Sequence, residues 1–456
     1  MTLDTIFAIA SGIGRSAVAI VRISGPQTDA VLERLLGGRL PEPRRAVLRR
    51  LRDPATGEIL DQALVLRLPG PASFTGEDQA ELQIHGSTAV RTALLRVLAA
   101  MAGCRAAEPG EFTRRAFLNG RLDLTEVEGL ADLIDAETEA QRRQALRQME
   151  GAIGRDVARW RDRLVDALAA CEAALDFADE DDVPDDVASG VAAATAGIHA
   201  EIAAALAGAA RGERVRDGFQ VVIAGPPNAG KSTLLNALAR RDVAIVSPIP
   251  GTTRDLIEIR CDLGGLPVVF VDTAGLRESE DLVEREGIAR ARDRVQRADL
   301  VLWLVAADAE ASSAHPGASR DAAAVETWIP AAAGIRGVEV LTVATKSDLG
   351  QAGDGSLAVS AKTGEGVPAL IARVEAVAAA AMTHGSDAVL TRERHRAVLS
   401  SVADCLDRAA LARQHGGIEL LAEDLRLALR HLGRMTGEVD VEEVLDRIFA
   451  SFCIGK

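Results

Sequence analysis

The run Gly225-Pro-Pro-Asn-Ala-Gly-Lys231-Ser232 fits G-x-x-x-x-G-K-[ST] and lies between the apolar run VVIA and the helix-like STLLNALAR. In that strand–loop–helix setting, backbone N–H groups of a glycine-rich turn and of a helix N-terminus converge on phosphate oxygens. Lys231 is expected to reach the β and γ phosphates. Ser232 is expected to ligate Mg²⁺, which takes oxygen donors and keeps several waters. Asn228, Ala229, Gly230 and Thr233 complete the loop and first helical turn and count as nucleotide-binding positions.

Later motifs extend this chemistry in chain order. Asp272-Thr273-Ala274-Gly275 closes the next strongly apolar run. Asp272 is expected to hold the Mg²⁺ shell through water, and Gly275 to bring a backbone N–H to the γ-phosphate. Between the two motifs stands Gly251-Thr252-Thr253-Arg-Asp255, from which Thr253 is the favoured direct Mg²⁺ ligand. Thr345-Lys346-Ser347-Asp348 follows a further apolar run. A carboxylate at Asp348 accepts from both N1–H and N2–H of guanine. Adenine lacks that donor pair and would leave the carboxylate unpaired, so such a site rejects it strongly. Ser360-Ala361-Lys362 is expected to hold the base O6 through backbone N–H groups. Thr345 stands where asparagine is usual. It is shorter and offers one hydroxyl, so a base or loop contact is expected to be lost. One such hydrogen bond is worth about 1 kcal/mol, which predicts weaker GTP affinity with guanine preference intact.

The means of water activation stays open on the residues alone. Ras-like enzymes orient the water with a glutamine after D-x-x-G; here that position is Leu276. Acidic alternatives downstream are Glu278, Glu280, Asp281, Glu284 and Glu286.

Of the 52 basic residues only Lys231, Lys346, Lys362 and Lys456 are lysine. A compact ammonium is retained where a planar guanidinium will not serve. Three of the four fall in the nucleotide motifs, and the fourth ends the chain in Phe-Cys453-Ile-Gly-Lys456. The lysines therefore mark a GTPase centre and a chemically active tail. The net charge of −15 excludes an extended nucleic-acid coat, so RNA contact needs local arginine clusters or a partner. Candidate clusters are PRRAVLRRLR (43–52) and RRAFLNGR (114–121). Five scattered cysteines without C-x-x-C spacing indicate a reducing cytosol and no zinc site. No signal peptide and no apolar run long enough to span a bilayer are read.

These residues require elements that position them, and 456 residues allow about three domains. Residues 1 to 118 read as an α+β unit, with AVAIVRIS, ALVLRLP and AELQIHG as strands and GSTAVRTALLRVLAAM as a helix. From 119 long amphipathic helices take over, including LDLTEVEGLADLIDAETEAQRRQALRQMEGAI. The acidic stretch 176–186 reads as a solvated loop, followed by another helix. Then FQVVIAG, LPVVFVDTAG, ADLVLWLVAAD, VEVLTVATKSD and SLAVSAK alternate with helical segments, the pattern of a mostly parallel sheet covered on both faces. Helices return after 380. The reading is a multidomain α/β chain: an α+β domain (1–118), a discontinuous helical domain (119–217 and 381–456), and an inserted Ras-like P-loop domain (218–380).

The motifs TGED, PGEFTRRAFLNGRLDL, GPPNAGKST, GTTRD and DTAGLR, with the terminal Cys-x-Gly-Lys, resemble those of the MnmE (TrmE) tRNA-modification GTPases along the whole chain. The resemblance implies a folate-binding N-terminal domain, and a homodimer formed through it. It implies a cytoplasmic enzyme with no membrane contact. With a flavin-dependent partner (MnmG/GidA type), in a heterotetramer or larger, such an enzyme builds a carboxymethylaminomethyl or aminomethyl group on C5 of the wobble uridine of certain tRNAs. The carbon donor is 5,10-methylenetetrahydrofolate, with 5-formyltetrahydrofolate as the alternative ligand. The resemblance implies GTP hydrolysis switched on by K⁺, with Asn228, Ser247, Ile249 and Thr252 as ion ligands. It assigns the water-orienting role to Glu284, folate binding to Arg22, Glu81, Arg121 and Lys456, and a nucleophilic or tRNA-facing role to Cys453. The rival reading is a ribosome-assembly GTPase that binds rRNA, because GTTRD and a leucine after DTAG also occur there.

Overall fold

The computed structural model describes residues 4–12, 14–176, 187–226, 228–241, 243–245, 258–272, 298–307, 338–350, 356–383, 390–414, 417–439, 445, 448–449, 452 and 455. The chain divides into two compact units. One comprises Met1–Ala131, Gln148–Leu168 and Leu425–Lys456; the other comprises Asp132–Arg147 and Ala169–Asp424.

The first unit is built on a six-stranded sheet. Its strands are β1 (Thr5–Ile9), β2 (Val18–Ser24), β3 (Val47–Arg52), β4 (Ile59–Leu68), β5 (Gln79–His85) and β6 (Cys104–Ala106), in the order β3-β4-β5-β2-β1-β6. All neighbours run antiparallel except β1 and β6. Period-2 alternation sends Ala19, Val21, Ile23, Ala80, Leu82 and Ile84 into one core with Val31, Leu32 and Leu35 of helix α1 (Thr28–Leu36) and Leu94 and Leu98 of α2 (Thr88–Ala99). The opposite face carries Arg22 and Glu81 and receives Phe112 of α3 (Glu111–Leu118) through a small cluster with Ile6 and Ala8.

The stretch read as helix over 122–153 is three elements: α4 (Leu124–Asp135), α5 (Glu139–Met149) and the start of α6 (Ala152–Asp176). Local chemistry makes the breaks. The Gln141 side-chain oxygen accepts from the amides of Glu137 and Thr138 at 3.0 and 3.1 Å, satisfying donors that a helix start leaves open. Gly151 turns left-handed at φ 78° before α6. Between the breaks α5 buries Gln141, Gln144 and Gln148 beside Ala145, so apolar spacing marked neither end of it.

The second unit holds β7 (Phe219–Ala224), α8 (Lys231–Ala239), β8 (Glu258–Leu263), β9 (Leu266–Asp272), β10 (Leu300–Ala306), β11 (Glu339–Thr345), β12 (Leu357–Val359) and α9 (Val367–Thr383). The strand order is β12-β11-β10-β7-β9-β8. Five strands are parallel, and β8 pairs antiparallel with β9. Every residue of β9 and β10 is buried. Two cores explain those unbroken apolar runs: Val221, Ile223, Phe270, Leu302 and Leu304 pack on one face, and Val222, Val269, Val271, Val301 and Trp303 on the other. Strand β8 alternates buried Ile259, Cys261 and Leu263 with more exposed Glu258, Arg260 and Asp262, as an edge strand should.

Helices α7 (Val187–Asp217), α10 (Glu393–Gln414) and the start of α11 (Ile418–Thr436) complete the unit, with α7 packed along α10. By length and composition alone Gly190–Asp217 is apolar enough to cross a bilayer, which corrects the expectation that no such run exists. Its hydropathy comes largely from alanine. The helix carries Glu213 paired with Arg396, Arg214 with Asp299 and Arg216 with Asp132, so it is built into a folded domain.

Candidate functional site

The phosphate loop leaves β7 at Gly225 and enters α8 at Lys231. Gly225 has φ 144°, and a Cβ there would stand 2.5 Å from the Leu304 carbonyl oxygen, so only glycine lets the loop pass this close to β10. Asn228 is left-handed at φ 63° and Gly230 at φ 87°. Asparagine tolerates that region better than most side chains. The Lys231 ammonium donates to the carbonyls of Gly225 and Pro226, each at 2.9 Å, which fixes it over the loop. The Ser232 hydroxyl donates at 2.8 Å to Asp272, a carboxylate 2% exposed at the end of β9. A buried carboxylate beside a hydroxyl is an all-oxygen donor pair, which fits a hard divalent ion such as Mg²⁺.

Along the same edge of the sheet, β11 leads into Thr345, Lys346 and Asp348, and β12 into Ser360, Ala361 and Lys362. Lys346 takes φ 57°, turning the chain sharply between the buried strand end and exposed Asp348. The Ser360 hydroxyl donates to Asp348 Oδ1 at 2.7 Å while accepting from the Thr363 amide at 3.2 Å. That hydroxyl bond holds the Asp348 carboxyl below the usual carboxylate range. Asp348 is therefore an ionised acceptor at neutral pH, suited to a base edge with two donors. The orienting role of the Ser360 side chain was not visible in the sequence, which pointed only to its backbone.

Thr345 does not lose its loop contact, as its short side chain suggested it might. Its hydroxyl donates to the Ala229 carbonyl at 2.6 Å. Asn228, Ala229, Gly230, Lys231, Ser232, Thr233 and Asp272 thus gather at one end of the parallel strands. Ser247, Ile249, Thr252, Thr253, Thr273, Ala274, Gly275 and Glu284 lie outside the described residues.

The first unit gathers a second constellation. Arg22 and Glu81 are direct register partners on β2 and β5. The guanidinium donates to Glu81 Oε1 at 3.1 and 3.3 Å and to the Gly455 carbonyl at 3.5 Å. It also lies over the rings of Phe74 and Phe112, at 5.6 and 5.8 Å from their centroids. Arg121 is placed separately, its stem flanking Gly76. Lys456 and Cys453 lie outside the described residues. A carboxylate, a guanidinium and two aromatic rings suit a flat heterocycle with a donor edge, the chemistry a pterin presents.

Behind this pair runs a network that sequence reading missed. Arg115 donates to Glu77 at 3.1 and 3.2 Å, to Glu111 at 2.9 Å and to the Asp4 carbonyl at 2.9 Å. Ser24 donates to Glu77 at 2.7 Å, and the Asn119 amide donates to the Thr75 carbonyl at 2.7 Å. The TGED loop is thereby locked to α3. Burial alone would raise the Glu111 carboxyl, but bonds from Arg105, the Glu108 amide and Arg115 outweigh it and hold the group low. Arg115 is therefore a structural cation, which removes it from the arginines available for RNA in 114–121; Arg114 remains exposed. The clue in the sequence was the charge content of PGEFTRRAFLNGR, without an indication of the partners.

A phosphate loop on a parallel sheet, a Ser–Asp metal pair and a guanine-type carboxylate define a GTP hydrolase. Residues 5–121 match the model of the GTP-binding protein TrmE N-terminus, and residues 124–453 that of the MnmE helical domain. The tRNA modification GTPase MnmE of Methylorubrum populi is 60% identical over 99% of this chain and 98% of its own length. That of Methylobacterium sp. strain 4-46 is 60% identical over 99% and 100%. That of Parvibaculum lavamentivorans is 51% identical over 100% of both. Among solved structures, the G domain of the T. maritima FeoB iron transporter aligns with 35% of this chain and 98% of its own, at 24% identity and a TM-score of 0.24. The chain belongs to the MnmE family of tRNA modification GTPases.

Proposed function

We propose that this chain is a potassium-activated GTPase of the cytoplasm. Acting with a flavin-dependent partner of the MnmG type, it adds a carboxymethylaminomethyl or aminomethyl group to C5 of the wobble uridine of certain tRNAs. In this reading Lys231 and the loop amides hold the β and γ phosphates. Ser232 and Thr253 ligate Mg²⁺, with Asp272 behind them. Asn228, Ser247, Ile249 and Thr252 hold K⁺, whose charge offsets that developing on the phosphoryl oxygens. Glu284 orients the water, and Asp348 reads guanine.

Arg22, Glu81, Arg121 and Lys456 bind 5,10-methylenetetrahydrofolate, or 5-formyltetrahydrofolate as the alternative, and the methylene form supplies the carbon. Cys453 acts as a nucleophile or as a tRNA-facing group. The chain's domains are 1–118, 119–217 with 381–456, and 218–380, and the protein is a homodimer through the first. Hydrolysis does not make the new bond; it drives opening and closing of the G domains.

The observation that carries this reading is the contact between Arg22, which is bonded to Glu81, and the carbonyl of Gly455. A GTPase alone needs no such cluster. The test is mass spectrometry of wobble nucleosides in tRNA from cells lacking the protein. Loss of the C5 group, restored by wild type but not by Lys231→Ala, supports the proposal. Unchanged nucleosides in cells without a redundant enzyme refute it.

A further inference from the structure

We infer that Thr345 is a positioning residue: its hydroxyl tethers the phosphate loop and leaves the N7 edge of the guanine base unread. The inference rests on the guanine-site reading proposed above.

Thr345 ends β11 and is 3% exposed. Its hydroxyl carries one proton, and two carbonyl oxygens stand near it: Ala229 at 2.6 Å and Val305 at 3.4 Å. The short bond takes the proton. Ala229 belongs to the phosphate loop and is 1% exposed, so its carbonyl would lose a buried partner without Thr345. The contact is close in other atoms too: a Cβ at Gly230 would stand 3.8 Å from both Thr345 Cβ and Oγ1. The backbone is also committed, because the Ala307 amide donates to the Thr345 carbonyl at 2.8 Å.

Guanine offers N7 and O6 as acceptors on the edge away from its N1 and N2 donors. Reading N7 from position 345 needs a second donor. An asparagine amide has two N–H groups, and threonine has one proton, already given to Ala229. Base recognition then falls to Asp348 and to the backbone amides after β12. The chain thus commits the one hydroxyl proton at position 345 to the loop and makes no N7 contact from it.

The test measures dissociation constants of GTP, 7-deaza-GTP and inosine triphosphate for the full chain and for Thr345→Asn, Thr345→Ser and Thr345→Val. 7-Deaza-GTP lacks the N7 acceptor, and inosine triphosphate lacks the 2-amino donor. Wild type is expected to bind 7-deaza-GTP as tightly as GTP and inosine triphosphate roughly tenfold or more weaker. Thr345→Asn should acquire a preference for GTP over 7-deaza-GTP of about fivefold, the worth of one hydrogen bond. Thr345→Val should weaken GTP and 7-deaza-GTP by the same factor, and Thr345→Ser should recover most of that loss. Circular dichroism checks that each variant is folded. Weaker binding of 7-deaza-GTP by wild type overturns the inference, because position 345 or a neighbour then reads N7. Equal GTP affinity in wild type and a folded Thr345→Val overturns the tether. Inosine triphosphate bound as tightly as GTP by wild type would instead defeat the guanine-site reading itself.

Discussion

Arg22 and Glu81 face each other directly across β2 and β5, and the guanidinium of Arg22 also reaches the carbonyl of Gly455, the residue before the chain's last. One arginine therefore connects the sheet to a residue 433 positions away in sequence. The pair is about one-fifth exposed on each side, enough for a ligand to reach and too buried for a free surface ion pair. Phe74 and Phe112 restrict where the guanidinium can go.

The tail contact predicts a separation of activities. Gly455 has φ 101°, and a Cβ there would lie 2.3 Å from the Ile9 carbonyl oxygen. Gly455→Ala must shift residue 455 away from Ile9, because the strain of such a conformation costs roughly 1–3 kcal/mol before the clash is counted. Wobble-nucleoside mass spectrometry should report at least a tenfold loss of modified uridine, in line with roughly 1.4 kcal/mol per decade. GTP turnover by the purified chain should fall less than twofold. A full complement of modified uridine in cells carrying Gly455→Ala would show that the seat of the tail is dispensable.

The proposed potassium role makes the cation a kinetic variable. Turnover in KCl should exceed that in NaCl at matched ionic strength by tenfold or more, a threshold well below the roughly 10³-fold or more that an arginine finger supplies by offsetting transition-state charge. Asn228 sits at φ 63°, so Asn228→Ala adds backbone strain of about 1 kcal/mol to the loss of the amide oxygen. Asn228→Gly removes the oxygen without that strain and is the cleaner variant. Both should abolish most of the salt difference. Equal rates for wild type in the two salts would eliminate the cation from the mechanism.

How much of this was legible follows from where the partners lie. The phosphate loop is a local structure: its glycines, lysine and serine fall within eight residues, so spacing alone reports the geometry. Strands β7, β9 and β10 were legible because burial on both faces writes a nearly unbroken apolar run, whereas β11 and β12 are only partly buried and showed as short apolar runs alone. Strand β3 was hidden by its arginines, which an exposed edge strand permits, and β8 by its alternation of charge and apolar residues. The TGED network was not legible because its bonds join distant segments, Arg115 to the Asp4 carbonyl across 111 positions. Nor was the choice of Ala229 as partner for Thr345, 116 positions away, since a hydroxyl does not announce which carbonyl it will meet.

The buried network under the TGED loop carries a pH signature. Glu111 titrates lower in the folded chain than its unfolded value of about 4.3. Between those two values the unfolded state binds more protons, so stability rises with pH. The contribution is fully present above about pH 4.3 and disappears as pH falls through the folded value. Glu111→Gln should therefore lower the melting temperature at pH 7, consistent with a loss of roughly 1–3 kcal/mol for hydrogen bonds to charged partners. The gap between variant and wild type should close as the pH is brought down towards 3. A gap of constant size across that range would mean that the charge of Glu111 contributes nothing.

Gly225 offers a test of the close approach between β7 and β10. Its φ of 144° strains any side chain, and the Cβ of an alanine would sit 2.5 Å from the backbone oxygen of Leu304, which cannot swing away as a flexible side chain would. Gly225→Ala should push the phosphate loop off β10, cost roughly 1–3 kcal/mol of stability and raise the GTP dissociation constant by tenfold or more. Gly37→Ala is the matched control: φ is 63°, but the nearest atom is the Arg52 Cδ at 4.0 Å, so only the backbone term of about 1 kcal/mol remains. Titration with a fluorescent GTP analogue should separate the two, with Gly37→Ala binding as wild type does. If Gly225→Ala also bound like wild type, the loop would not depend on its contact with β10, and the position of the Lys231 ammonium would need another support than the Gly225 and Pro226 carbonyls.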